Sequence, residues 1–226
     1  MSRYAILSDI HNETDNLQKA LAHLATRQID AYLNLGDMGA RPLPLLDALP
    51  TYHAFGNWEV SQLHKFPAQR QDEIAAWPAR LTGPGWVAAH ASPVFPAECR
   101  TLADTRAYMA AHRPRWMQLF PSLLHDEDAV WAALAELAAT GRRVAFHGHT
   151  HVQAVQQLGA DNRLRRLSGP RITLPPGTLT LIGVGSVGVP RDGKALRCVL
   201  FDDETFEVEL VAIDADAPTP NRQYRK

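Results

Sequence analysis

Apolar and polar positions alternate along this chain in blocks that predict strands and helices by turns. Tyr4-Ala5-Ile6-Leu7 is a short apolar run halted by Ser8-Asp9, the pattern of a buried strand. Leu17, Ala20, Leu21 and Leu24 then recur at helical spacing, with Asn12 as the expected cap and Asp15 in the first turn. Ala31 to Leu35 reads as a second strand ending at Gly36-Asp37. A Leu- and Pro-rich helical stretch, Pro42 to Leu49, leads into a third strand, Thr51 to Phe55, ended by Gly56-Asn57. Trp86 to His90 forms a fourth. Asp126 to Thr140 is a helix opened by Asp126, Glu127 and Asp128 and closed by Gly141. Val144 to Phe146 is a fifth strand, running into His147-Gly148-His149-Thr150-His151. Such alternation predicts an α/β sheet with polar residues gathered at the strand ends.

Past residue 151 the helical signal fades. Val152 to Leu158, Thr178 to Val184, Leu196 to Phe201 and Phe206 to Ile213 read as strands joined by turns containing Gly, Pro and Asp. Residues 92–125 resist the scheme, because Pro93, Pro96, Pro114 and Pro121 are mixed with Phe95, Tyr108, Trp116 and Phe120. They are expected to form a helical insertion, serving as a lid or as extra core. Residues 214–226 are polar, with Pro218 and Pro220, and are expected to be a frayed tail. One domain over residues 1–213 follows.

Composition narrows the classes. Hydrophobic residues make up 46% of 226, enough for a core. Lys and Arg number 23 against 24 Asp and Glu, a net charge of -1, which argues against an extended nucleic-acid surface. The two cysteines, Cys99 and Cys198, lack metal or redox spacing and are expected to be small buried hydrophobes. No run approaches the ~20 apolar residues of a bilayer span, and the initial run is too short for a signal peptide. A soluble cytoplasmic protein is expected. Nothing in the sequence sets an oligomeric state.

The predicted strand ends carry the chemistry. Asp9-x-His11, Asp37, Asn57 and His90 end four of them, and His149-x-His151 ends the fifth. In extended chain, residues two apart point the same way, so each spaced pair is expected to aim both side chains at one point. Seven nitrogen and oxygen donors exceed the needs of one ion but suit two sharing a bridging carboxylate. With no thiolate, mixed His, Asp and Asn ligands fit Mn, Fe, Zn, Ni or Co, and Mn is favoured. The basic stretch Arg163, Arg165, Arg166 and Arg171 reads as a solvated hairpin, with a phosphate-docking edge as the alternative.

Ser8-Asp9-Ile10-His11, Leu35-Gly36-Asp37, Phe55-Gly56-Asn57-Trp58-Glu59, Ala89-His90 and Gly148-His149-Thr150-His151 resemble, in order, the blocks of the calcineurin-like metallophosphoesterase superfamily. Gly185 to Gly193 looks like a turn of its small bacterial phosphodiesterase branch. The resemblance implies two packed mixed β-sheets flanked by helices. It also implies two divalent ions, one held by Asp9, His11, Asp37 and His151, the other by Asp37, Asn57, His90 and His149. The implied activity is hydrolysis of a small phosphorylated substrate by a metal-bridging hydroxide. Asn57 and His90 would then stabilise charge on the phosphate oxygens as catalytic residues.

Three positions depart from the family pattern. Trp58 stands where a histidine usually protonates the leaving group, and an indole cannot act as a general acid. Phosphodiesters, activated or phenolic esters, or anhydrides are therefore the expected substrates, unless His53, His64 or His147 substitutes. Asn12-Glu13 replace the usual Gly-Asn, and Ala91 replaces a Gly. Trp58 is expected either to pack beside the site or to stack on a substrate base, and Arg191 is a candidate substrate contact. Two other functions fit: a metal-stabilised interaction scaffold with little catalysis, and a nucleotide pyrophosphohydrolase.

Overall fold

The computed structural model describes residues 2–216 and builds two six-stranded mixed sheets. In chain order the strands are β1 (Arg3–Leu7), β2 (Ala31–Asn34), β3 (Thr51–His53), β4 (Arg80–Gly83), β5 (Trp86–Ala89) and β6 (Val144–His147). They continue as β7 (Gln153–Leu158), β8 (Leu164–Leu167), β9 (Arg171–Thr173), β10 (Leu179–Val184), β11 (Leu196–Asp202) and β12 (Glu207–Ile213). Helices among the described residues are α1 (Thr14–Leu24), α2 (Leu43–Asp47), α3 (Asn57–Gln62), α4 (Gln71–Ala75), α5 (Leu102–His112), α6 (Trp116–Leu119) and α7 (Glu127–Ala139). Residues 217–226 of the expected frayed tail lie outside the described residues.

The first sheet runs β3-β2-β1-β11-β12-β9 and the second β4-β5-β6-β10-β7-β8. Parallel pairing joins β1 to β2 and β2 to β3, and also β5 to β6 and β6 to β10. The fold class expected from the sequence is the one observed.

Why the central strands read as unbroken apolar runs is now plain: both of their faces are buried. Ile6, Trp86, Ala88, Val144, Phe146 and Phe201 fill the layer between the sheets. Ala5 and Leu7 point the other way, to a cluster that includes Leu17, Ala20 and Leu24 of α1. On the second sheet Val87, Ala145 and Leu181 pack against Val130, Ala133, Leu134 and Leu137 of α7. Asp126 caps α7 by accepting the Ala129 N–H at 3.0 Å, as its sequence implied.

Some expectations need correction. Asn12 does not cap α1: Glu13 holds that position without a side-chain bond, and Asn12 Oδ1 instead accepts the Arg41 N–H at 3.0 Å. The strand from Thr51 ends at His53, and that from Trp86 at Ala89, so Phe55 and His90 lie beyond the ladders. Strands β4, β8 and β9 carried no clear signal; all three lie at sheet edges. Arg165 and Arg166 lie on β8, in a hairpin with β7, and Arg165 pairs with Asp161. Both cysteines are free and buried.

Candidate metal centre

The site forms where loops leave the ends of β1, β2, β3, β5 and β6. The loops after β1 and β2 are laced by backbone bonds from Asp9 N to Gly36 O (3.1 Å), His11 N to Asp37 O (2.9 Å) and Asn12 N to Met38 O (2.9 Å). A second clamp is the buried carboxylate of Glu59 on α3. It accepts the N–H groups of Gly56 and Asp37 at 2.8 Å and of Met38 at 3.0 Å. The sequence marked Glu59 only as part of a block; its role shows in hindsight as an acid at the third position of a helix. The Gly185–Gly193 segment ties back to the ligand loops through backbone bonds from Val187 N to Ser8 O and Gly188 N to Asp9 O (both 3.1 Å) and through the Ser186 side chain. Ser186 Oγ donates to Asp9 O and accepts the Val189 N–H, both at 2.7 Å.

Backbone conformation here differs from the extended chain assumed for the spaced pairs. Asp9, His11, Asp37, His149 and His151 all have positive φ, between 48° and 63°. Non-glycine residues visit this region rarely and at a cost, and they cluster at functional sites. The tight turns separate the second pair. His151 Nε2 faces His11 Nε2 at 3.2 Å and Asp9 Oδ1 at 3.3 Å, whereas His149 Nδ1 faces His90 Nε2 at 3.3 Å. His149 and His151 therefore do not aim at one point.

Two groups of metal-competent atoms result: Asp9, His11 and His151, and Asp9, Asp37 and His90, each with ligand atoms within 4.8 Å of one another. Asp37 Oδ2 lies 3.9 Å from His11 Nε2 and 3.5 Å from His90 Nε2, between the two sets, while its Oδ1 accepts the Trp58 N–H at 2.6 Å. Asn57 Oδ1 is 3.0 Å from His90 Nε2. All seven side chains singled out from the sequence are thus gathered in one place.

The donors suit cations. His90 Nδ1 pairs with Leu35 O at 3.0 Å and His151 Nδ1 with Val189 O at 2.7 Å, so each ring turns Nε2 inward, the arrangement usual for metal-ligating imidazoles. Asp9 Oδ2 accepts the His149 N–H at 2.9 Å, but its fully buried Oδ1 has no hydrogen-bond partner. An unsatisfied buried carboxylate oxygen is costly, and a cation would satisfy it. Burial pushes the Asp9 carboxyl up to about 7 and holds Asp37 well above the usual carboxylate range, with Glu59 and Asp9 adding to the latter. Burial likewise lowers His11 and His149 to about 4 and takes His90 well below its ordinary value, so these imidazoles are neutral and able to ligate.

Trp58 is half buried, edge-on to Phe66 at 5.5 Å, with Lys65 Nζ 6.0 Å from its ring. Arg191 is exposed; its N–H bonds His151 O at 3.0 Å, and its charge lowers His11, His149 and His151 further. None of the three histidines considered as proton donors joins the ligand set. His53 stacks on Trp77 (4.4 Å) and pairs with Asn34, His147 bonds Gly148 O, and His64 lies exposed on a short 3-10 turn. Glu13 is exposed.

Fold and cluster together define a metallophosphoesterase. The chain belongs to the calcineurin-like phosphoesterase superfamily, whose domain model matches residues 3–205. It is 26% identical over 232 aligned residues to the uncharacterized protein MJ0912 of Methanocaldococcus jannaschii, covering 95% of this chain and 88% of that protein. Among solved structures, a metallophosphoesterase from Sphaerobacter thermophilus superposes with a TM-score of 0.68 at 20% identity, over 94% of this chain and 88% of that one. A structure described as a novel archaeal phosphodiesterase gives 0.52 at 12% identity, over 93% and 99%. At these identities the structural likeness speaks to fold alone. No described helix is long and apolar enough to cross a membrane.

Proposed function

We propose that the protein hydrolyses phosphodiesters. Two divalent cations, Mn²⁺ foremost for this oxygen–nitrogen donor set, would be held by Asp9, His11, Asp37 and His151 on one side and by Asp37, Asn57, His90 and His149 on the other. The observation that carries this reading is the unpartnered, fully buried Asp9 Oδ1 facing inward-turned imidazoles. Bound there, the cations supply Lewis acidity and positive charge for a phosphate. Around them the chain's own groups act. Asn57 and His90, 3.0 Å apart, would offset charge on the equatorial phosphate oxygens through the cation they hold, because His90 is neutral and its Nδ1 is taken by Leu35 O. The exposed guanidinium of Arg191 adds one positive charge at the His11 and His151 side, and the Trp58 N–H fixes Asp37 Oδ1.

Trp58 holds no proton that it can give up near neutral pH, so leaving groups that depart unprotonated are preferred. With Mn²⁺, bis(4-nitrophenyl) phosphate is expected to turn over faster than a dialkyl phosphate, because of its leaving group, and faster than 4-nitrophenyl phosphate, which shares that leaving group, because the site takes diesters. Asp37→Ala is expected to lower that rate by more than about 100-fold, beyond the usual loss for an outer-shell partner. Protein carrying two metals yet inert on monoesters and diesters alike would overturn the proposal. The missing imidazole also favours a second reading, phosphoanhydride hydrolysis, because phosphate leaves without protonation. A nucleoside diphosphate assayed beside the diester separates the two.

A further inference from the structure

The helical insertion delivers a pair of aromatic rings to the rim of the metal centre. Arg113 ends α5 in the left-handed conformation (φ 49°), and Pro114 follows. The chain then turns back through α6, bringing Phe120 against the candidate ligands: its ring lies 6.1 Å from His90 and 6.4 Å from His149. Phe120 is 3% exposed and also meets Phe95 edge-on at 5.8 Å, so it is fixed in the core. Trp116 stands over it at 5.5 Å, with 38° between the rings, and remains 43% exposed. Phe120 thus backs Trp116 from inside and sets its exposed ring one aromatic layer away from His90 and His149.

Trp131 gives an internal comparison. It is 42% exposed on α7, where its Nε1 reaches Glu127 at 3.4 Å, and it has no aromatic neighbour among the described contacts. Single exposed tryptophans of that kind are ordinary. Trp116 differs in packing, tilted, against a ring that lies beside His90 and His149. The opposite rim is different again: Arg191 and Val189 lie exposed beside His11 and His151. The centre therefore has a cationic side and an aromatic side.

We propose that Trp116, propped by the buried Phe120, forms a stacking subsite for a planar ring on the alcohol portion of the substrate, so that the matching chemical class is a nucleotide ester. This rests on the phosphoesterase reading above. It moves the base platform from the half-buried Trp58 to the more exposed Trp116 of the insertion. Indole faces stack on any base, so the subsite selects for a ring and not for one base.

Calorimetric titration of the Mn²⁺-loaded protein with adenosine 5′-monophosphate and with glycerol 3-phosphate tests it, since the two share the phosphate and differ in the ring. Wild type is expected to bind the nucleotide about tenfold or more tightly, the ratio that one stacked base supplies. Trp116→Ala should bring that ratio to about one while leaving glycerol 3-phosphate affinity unchanged. Trp116→Phe should keep most of the preference, and Trp131→Ala all of it. Equal binding of both ligands by wild type overturns the stacking subsite and leaves the phosphoesterase reading standing. A preference that survives Trp116→Ala also overturns it. Failure of both ligands to bind overturns the two readings together.

Discussion

Asp9 carries opposing demands. Its carboxylate is buried, faces the Asp37 and Glu59 carboxylates, and is pushed up to about 7. A raised carboxyl contributes stability that is present below its unfolded value near 3.8 and is lost as pH rises through about 7. Without metal, then, the ionised form destabilises the fold at pH 8. Asp9→Asn keeps an oxygen for the His149 N–H and offers an amide toward His151 Nε2, while removing the charge. The variant is expected to melt higher than wild type in chelator at pH 8, by at least about 1 kcal/mol or about 2–4 °C, and to lose metal binding. Thermal melts with and without Mn²⁺ check both halves; a lower melting point in chelator would contradict the argument. Positive φ at five candidate ligands fits the same account of local strain held in place by surrounding structure.

At the scale of elements, one loop supports another. Residues Gly185 to Gly193 follow β10, yet Ser186 holds the Asp9 carbonyl, and Val189 O orients the His151 ring. Ser186→Ala leaves the Val189 N–H without that acceptor and is expected to cost about 1–2 kcal/mol of stability. Mn²⁺ affinity should fall by about 10- to 100-fold through His151, as measured by titration calorimetry. The elements also explain what the sequence made legible. Central strands such as β1 and β6 are buried on both faces, so their signal is a plain apolar run. The strands at β4, β8 and β9 pair on one side only, are short, and leave half or more of their residues exposed, so little apolar pattern remains to read. Asn12 looked like a cap because its type suits one. A backbone partner 29 residues away, at Arg41, took its side chain instead.

For the whole molecule, the two sheets place loops from distant parts of the chain around one centre, and metal should act as a cross-brace on them. Mn²⁺ at about 100 times its dissociation constant is expected to stabilise the native state by about 2.7 kcal/mol, and a chelator should reverse it. A melting temperature indifferent to Mn²⁺ would show that the cluster holds no ion. Net charge of -1 conceals this concentration of function, because the site is local while the total is not.

The sequence by itself determined the donor types, their order at the strand ends and the alternation that implies an α/β sheet, because each of those signals sits within a few neighbouring residues. Tertiary structure alone decided that His11 meets His151 across 140 positions and that His149 turns away from His151 toward His90. It also decided that Glu59 clamps two loops, and that the insertion brings Phe120 and Trp116 to the rim. Those contacts depend on sheet order and on left-handed turns at non-glycine residues. Local propensity disfavours such turns, and only long-range packing can hold them.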